Sequence, residues 1–204
     1  GGFTRCMLEA LKEQEERGFT HFLFMDDDII LEPEALYRTY MLLALAREPY
    51  QDAAVGGALL RLDLPTIQHA NGENWNSGHL NSPKRGYDFT RKTDLLRNEV
   101  ILPEEYQGWW YCCIPFGEEC AENLPLPVFI HFDDIEYSLR FAGKWMHLNG
   151  VGIWHDAFDH RRASSMEYYD MRNLLITNAI HNKQYGWKQA RKKIFRHMVF
   201  QLLK

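Results

Sequence analysis

His21-Phe22-Leu23-Phe24-Met25-Asp26-Asp27-Asp28 is a short, largely apolar run that empties into three consecutive acids. Such a run, bounded by polar residues, is the mark of a strand buried on both faces of a mostly parallel sheet. Carboxylates at the end of a buried strand are costly unless something cationic meets them. In open α/β sheets, ligands occupy the crevice at the carboxyl ends of the strands. Side chains alternate along extended chain, so Asp26 and Asp28 are expected on one side. Two carboxylates there suit a hard divalent cation that also holds phosphate oxygens, Mg2+ or Mn2+. The plainer alternative is a solvated acidic turn whose carboxylates accept amide hydrogen bonds at the next helix.

Working outward, Phe3 to about Arg17 has helical periodicity, with Phe3, Met7, Leu8 and Leu11 on one side, and Gly18 caps it. Pro33 and Glu34 open a second helix reaching about Arg47. Ala53 to Leu60 reads as a strand interrupted by Gly56-Gly57. Arg61 to Glu105 is polar and turn-rich, the composition of a long functional or mobile loop. Pro127 to Phe132 reads as another buried strand, again ending in paired acids, followed by a helix to about Phe141 with Gly143 as its cap. Lys144 to His147 and Gly150 to Trp154 read as short strands. From Ser164 onward the period is helical, with a break near Gly186. The alternation predicts an α/β class: a core over residues 1–160 and a helical extension over 161–204.

At 204 residues the chain is long enough for one domain with a substantial core, and 46% hydrophobic against 25% charged residues is ordinary for a soluble globular protein. A net charge of -5 excludes nucleic acid as the main partner, because no general basic excess is present to neutralise phosphates. Cys6, Cys112, Cys113 and Cys120 form no CxxC pair, so a thiolate zinc site has little support and buried free thiols in a reducing compartment are expected. No apolar run approaches the roughly 20 residues that span a bilayer. The chain opens Gly-Gly-Phe without Met, as a mature fragment would.

Three further stretches carry chemistry. In His131-Phe132-Asp133-Asp134-Ile135-Glu136 a strand meets a helix N-terminus, whose dipole favours anions. Asp133 is a natural cap there. Asp134 then faces the crevice, placed to take a proton from an incoming hydroxyl, unless it is only a surface acid of the first turn. In Gly152-Ile153-Trp154-His155-Asp156, His155 follows a third strand. It is either a satisfied structural histidine or a third metal ligand, and a neutral imidazole suits Mn2+ better than Mg2+. Trp109 and Trp110 offer either two core side chains or an apolar face for the C–H surface of a sugar ring. Finally, Lys183 to Lys204 holds seven basic residues, no acid and interleaved apolar side chains. That is the pattern of a helix lying on an anionic membrane surface or packing on another domain.

These pieces in this order resemble glycosyltransferase family 2 with its GT-A fold, in particular the polymerising galactofuranosyltransferases that extend bacterial galactan from UDP-galactofuranose. The resemblance runs through Gly1-Gly2-Phe3-Thr4-Arg5, Asp26-Asp27-Asp28, His69-Ala70-Asn71-Gly72-Glu73-Asn74-Trp75, Trp109-Trp110, His131 to Tyr137 and Trp154-His155, up to about Ile180. It implies Asp26, Asp28 and His155 as ligands of Mn2+ or Mg2+. It implies Asp134 as the base, Trp109, Trp110 and Asp133 beside the acceptor, and Asp27 on the donor side, where Arg161 and Arg162 either close over the diphosphate or are plain surface arginines. The implied reaction is a metal-assisted, inverting, in-line displacement on a nucleotide sugar by a hydroxyl of a glycan or lipid-linked glycan, on the cytoplasmic side and peripheral to the inner face of the membrane. GT-A enzymes place a nucleotide-reading strand–helix–strand unit before the acidic triplet, and only twenty-five residues precede it here. The resemblance therefore implies a sheet lacking its first strands, weak or no activity in isolation, and self-association through an open sheet edge. A metal-dependent phosphoesterase and a non-catalytic glycan-binding remnant are the rival functions; the first usually needs more histidines and a second metal.

Overall fold

The computed structural model describes residues 2–76, 79–100, 102–103, 106–117, 119–141, 143–156 and 164–202. Helix α1 (Gly2–Arg17) buries Met7 completely, and Gly18 ends it in the left-handed region at φ 67, its N–H bonded to the Gln14 carbonyl at 2.8 Å. Strand β1 (His21–Met25), the two-residue β2 (Ile30–Leu31) and helix α2 (Pro33–Leu45), with Pro at its first position, follow. Then come β3 (Ala54–Arg61), β4 (Gln68–Ala70), the hairpin β5 (Asn74–Asn76) and β6 (His79–Asn81), and helix α3 (Lys92–Asn98). The chain continues through β7 (Tyr111–Pro115), the short α4 (Glu119–Glu122), α5 (Asp133–Arg140) and β8 (Trp145–His155). Helices α6 (Ser164–His181) and α7 (Trp187–Leu202) close it. No helix among the described residues is long and apolar enough to cross a membrane.

The class is α/β as expected, but the sheet is mixed and not mostly parallel. Its order is β1-β7-β3-β8-β2 with β4 on β3, and of these pairs only β3 with β8 is parallel. An apolar run shows burial and is silent on strand direction, which partners far away in sequence decide. β1 itself lies at an edge, with Phe22 and Phe24 buried and Met25 exposed. In a flat sheet four spacings of about 4.8 Å would put β1 about 19 Å from β2. Met25 and Ile30 are joined by only four residues that include a turn, so the sheet curls and brings its two edges together at the acidic triplet.

β3 is buried along nearly its whole length and needs glycine at two points: a Cβ on Gly56 would stand 2.5 Å from both Gln107 Oε1 and His147 Nε2, and one on Gly57 2.6 Å from the Tyr111 ring. The two short strands expected around 144–154 are one strand, β8, bulged between its pairing with Gly56 and with Ala58, with Gly150 at φ 83. The expected strand over 127–132 is absent. That segment is irregular, and Ile130 and Phe132 sit at φ 74 and 79. α5 ends at Arg140 with Phe141 already extended, so Gly143 is not its cap. Within 61–105, three short strands and α3 replace the expected long loop. Cys112, Cys113 and Cys120 are buried free thiols, whereas Cys6 is exposed.

Candidate functional site

The acidic triplet occupies the turn between β1 and β2. β2 pairs with β8 through Ile30 with Trp154 and Leu31 with Ile153, which pins the turn beside the end of β8, where His155 stands. Asp26, Asp28 and His155 are thereby brought together, each offering one ligand atom, all within 4.8 Å of one another. Curling of the sheet does this, not the strand alternation expected from sequence. His155 is 2% exposed. Its Nδ1 lies 2.6 Å from the Asp156 carbonyl, which can only accept, so Nδ1 carries the proton. Nε2 then points at Asp28 Oδ1, 3.1 Å away. A backbone carbonyl that fixes the tautomer while Nε2 faces two carboxylates is the arrangement of a metal-ligating histidine. Two carboxylates and one imidazole fit Mn2+ or Mg2+. Asp27 is exposed in the same turn. Arg161 and Arg162 lie outside the described residues.

A second cluster surrounds Asp134 in the first turn of α5. Asp133 is the first helical residue, not the cap, and its Oδ1 accepts the Asp134 N–H at 3.2 Å, while Asp134 Oδ1 accepts the Ile135 N–H at 2.7 Å. Burial, and then the charge of Asp133, push the Asp134 carboxyl up to about 8, against the Ile135 hydrogen bond; Glu73 adds to the rise and His131 opposes it. Burial also raises Asp133. Glu73 is 7% exposed and raised by burial, and it accepts hydrogen bonds from the hydroxyls of Tyr106 and Ser82. Glu73 and Tyr106 also exchange both backbone hydrogen bonds, at 3.0 and 3.1 Å. Neither Glu73 nor Tyr106 was assigned a role from sequence. For Glu73 the available signals are its place in the His69–Trp75 stretch of the resemblance and its position beside Asn71-Gly72 in a turn-rich stretch.

The two tryptophans are in the core. Trp109 is 2% exposed and packs on Phe24 at 4.6 Å and on Tyr137 at 5.6 Å between ring centroids. It therefore ties the end of β1, two residues before Asp26, to α5, three residues after Asp134. Trp110 is 9% exposed, and its Nε1–H donates to the Gly57 carbonyl at 2.8 Å.

No protein-family model matches the chain. It is 34% identical over 203 residues to the galactofuranosyltransferase GlfT2 of Mycolicibacterium smegmatis (strain ATCC 700084 / mc(2)155), and 34% identical over 205 residues to that of Mycobacterium tuberculosis (strain ATCC 25618 / H37Rv). Each match covers 89% of this chain, and the chain spans 30% of the length of each relative. Across 89% of its own length, then, this chain is a homologue of the GlfT2 galactofuranosyltransferases, the kinship its ordered motifs pointed to.

Proposed function

We propose that the chain carries the metal-binding and base-bearing part of an inverting glycosyltransferase that moves a sugar, galactofuranose by the name of its relatives, from a UDP-sugar donor to a hydroxyl of a glycan or lipid-linked glycan. The observation that carries this is the convergence of Asp26, Asp28 and His155 within 4.8 Å where the curled sheet brings β1 and β8 together. Those three residues would hold Mn2+ or Mg2+, which supplies charge neutralisation for a departing diphosphate. Asp134 takes the proton of the acceptor hydroxyl as the oxygen bonds the anomeric carbon from the face opposite the departing diphosphate. The bond from that carbon to the diphosphate oxygen breaks and UDP leaves. A carboxyl raised toward the operating pH is suited to that transfer.

Trp109, Trp110 and Asp133 belong to the acceptor side as buried residues that shape it from beneath, not as an open stacking platform. Asp27, with Arg161 and Arg162, belongs to the donor side. The edge position of β1 leaves it able to pair with a strand of the same polypeptide or of a second copy. The basic, apolar outer face of α7 suits peripheral contact with an anionic membrane on the cytoplasmic side. Turnover of UDP-galactofuranose with Mn2+ and a galactan oligosaccharide, followed by UDP release and product mass, tests the central assignment. In a polypeptide that also supplies the nucleotide-reading strands, the expected result is product formation that Asp28→Ala removes. Release of phosphate from simple esters without sugar transfer would favour the phosphoesterase instead.

A further inference from the structure

Between Val128 and α5 the backbone twice enters the left-handed region, at Ile130 and Phe132, where branched and bulky residues are rare. Such backbone persists only where its surroundings over-determine it. Here the surroundings are one stretch of α6. Tyr169 packs edge-on against Phe129 with ring centroids 4.8 Å apart. Asp170 pairs with His131 Nδ1. Asn173, wholly buried, donates through Nδ2 to the Phe129 carbonyl at 2.9 Å and to the His131 carbonyl at 2.7 Å. Phe132 then packs beside Trp75 at 5.7 Å and joins a cluster with Tyr106, Ile135 and Leu174, the last again from α6.

We infer that α6 is the positioning element for the base: Asp170 and Asn173 hold residues 129–132 on their left-handed path, and through His131 they set where Asp134 stands and which charges it meets. This rests on the assignment of Asp134 as the base. The groups facing it are Asp133 from its own helix, Glu73 from the β4–β5 connection, Tyr106 from the segment before β7, Cys112 of β7, and His131, which Asp170 tends to keep protonated. Arg172, on the same helix as Asp170, is engaged over the Tyr169 ring. An imidazolium beside Asp134 favours the ionised carboxylate, so the clamp fixes place and charge together.

The test is made in the full chain with Asp170→Asn, Asp170→Glu, His131→Gln and Asp134→Asn, following sugar transfer from UDP-galactofuranose between about pH 6 and 10. Asp170→Asn is expected to lower kcat by about tenfold or more with KM within about twofold, because the base and not the binding surface is displaced. The acid limb of its pH profile is expected to move to higher pH, and Asp170→Glu to restore most of the wild-type behaviour. Melting curves check folding. Should Asp170→Asn not fold, His131→Gln carries the test, since it keeps both Asn173 hydrogen bonds to the backbone. Wild-type kcat with an unmoved acid limb in the folded variant overturns the inference. Full activity in Asp134→Asn overturns the base assignment instead, and that variant alone reports it.

Discussion

His155 Nε2 lies 3.1 Å from Asp28 Oδ1 across 127 residues of sequence, and the two meet because only Ile29 separates Asp28 from β2, which begins at Ile30 and pairs with the end of β8. If that contact belongs to a cation site, Asp28→Ala removes one of three ligands and a Mn2+ titration followed by calorimetry should lose at least tenfold in affinity. His155→Ala should do the same while leaving the exposed Asp27 in place. Mn2+ binding of unchanged strength in both variants would remove the site.

Asp134 gives a pH prediction with a definite sign. Its folded pKa of about 8 lies far above the unfolded value near 3.8, so the folded state binds the proton more tightly. The group therefore opposes folding progressively as pH rises from about 4 to about 8. Asp134→Asn should flatten that decline, so that its Tm exceeds the wild type's at pH 8 and the difference shrinks toward pH 4. Activity should run the other way: kcat/KM of the wild type rises toward about pH 8 as the base ionises, and the variant loses it. A wild-type rate already level at pH 6 would contradict the assignment.

Much of this site was legible because its signals are local. The acids after the Phe22–Met25 run, the Gly18 cap of α1, the opening of α2 at Pro33 and the long terminal helices each follow from a few neighbouring residues, and the structure has them where the sequence puts them. Residues 127–132 were misread because Val128, Phe129, Ile130 and Phe132 make a strand-like apolar run. The carbonyls of Phe129 and His131 are claimed instead by Asn173 of α6, more than forty residues on. Glu73 with Tyr106 was illegible for the same reason, since the pair closes across 33 residues with no repeating pattern to announce it. Strand direction in the sheet was likewise fixed by distant partners.

Tyr106 is one of the donors that keep Glu73 tolerable in the core. Removing its hydroxyl in Tyr106→Phe leaves a buried carboxylate short of a partner, which costs about 1–3 kcal/mol. The Tyr106 hydrogen bond lowers the Glu73 pKa, so its loss raises an already raised value. A raised carboxyl weakens folding above its unfolded pKa. The gap in stability between wild type and variant should therefore be small near pH 4 and widen toward pH 7. Denaturant melts at the two pH values measure it; an equal gap at both would show that Glu73 is not ionised against its surroundings.

Trp109 joins β1 to α5 from inside the core, and its truncation should reach both clusters at once. Trp109→Ala should cost about 3–5 kcal/mol, as for other buried aromatic residues. Trp109→Phe keeps the contacts with Phe24 and Tyr137 and should cost far less. If Trp109 acts on the acceptor side only by shaping it, Trp109→Phe should retain Mn2+ affinity while KM for the acceptor rises. Loss of Mn2+ affinity in Trp109→Phe would show that the β1 turn, and not the acceptor side, depends on this ring.

On α7, Trp187, Phe195, Met198 and Leu202 are exposed at 72%, 64%, 56% and 84%. At 100° per residue they fall within one quarter of the helix, with Arg191 among them and Lys188 and Lys192 about 20° and 60° beyond one border. An apolar strip with basic flanks can sink its rings below the headgroups of an anionic leaflet while the cations stay with the phosphates. Each basic side chain near such a surface contributes about 1 kcal/mol. Replacing Lys188, Arg191 and Lys192 with Gln should thus lower partitioning onto phosphatidylglycerol vesicles by about a hundredfold, and added salt should weaken the wild type in the same direction. Flotation that is equal for wild type and variant, or equal on neutral and anionic vesicles, would assign this face to packing against another part of the polypeptide. A steep dependence on both charge sets would place α7 at the membrane, on the helix pair whose first member holds the segment carrying Asp134.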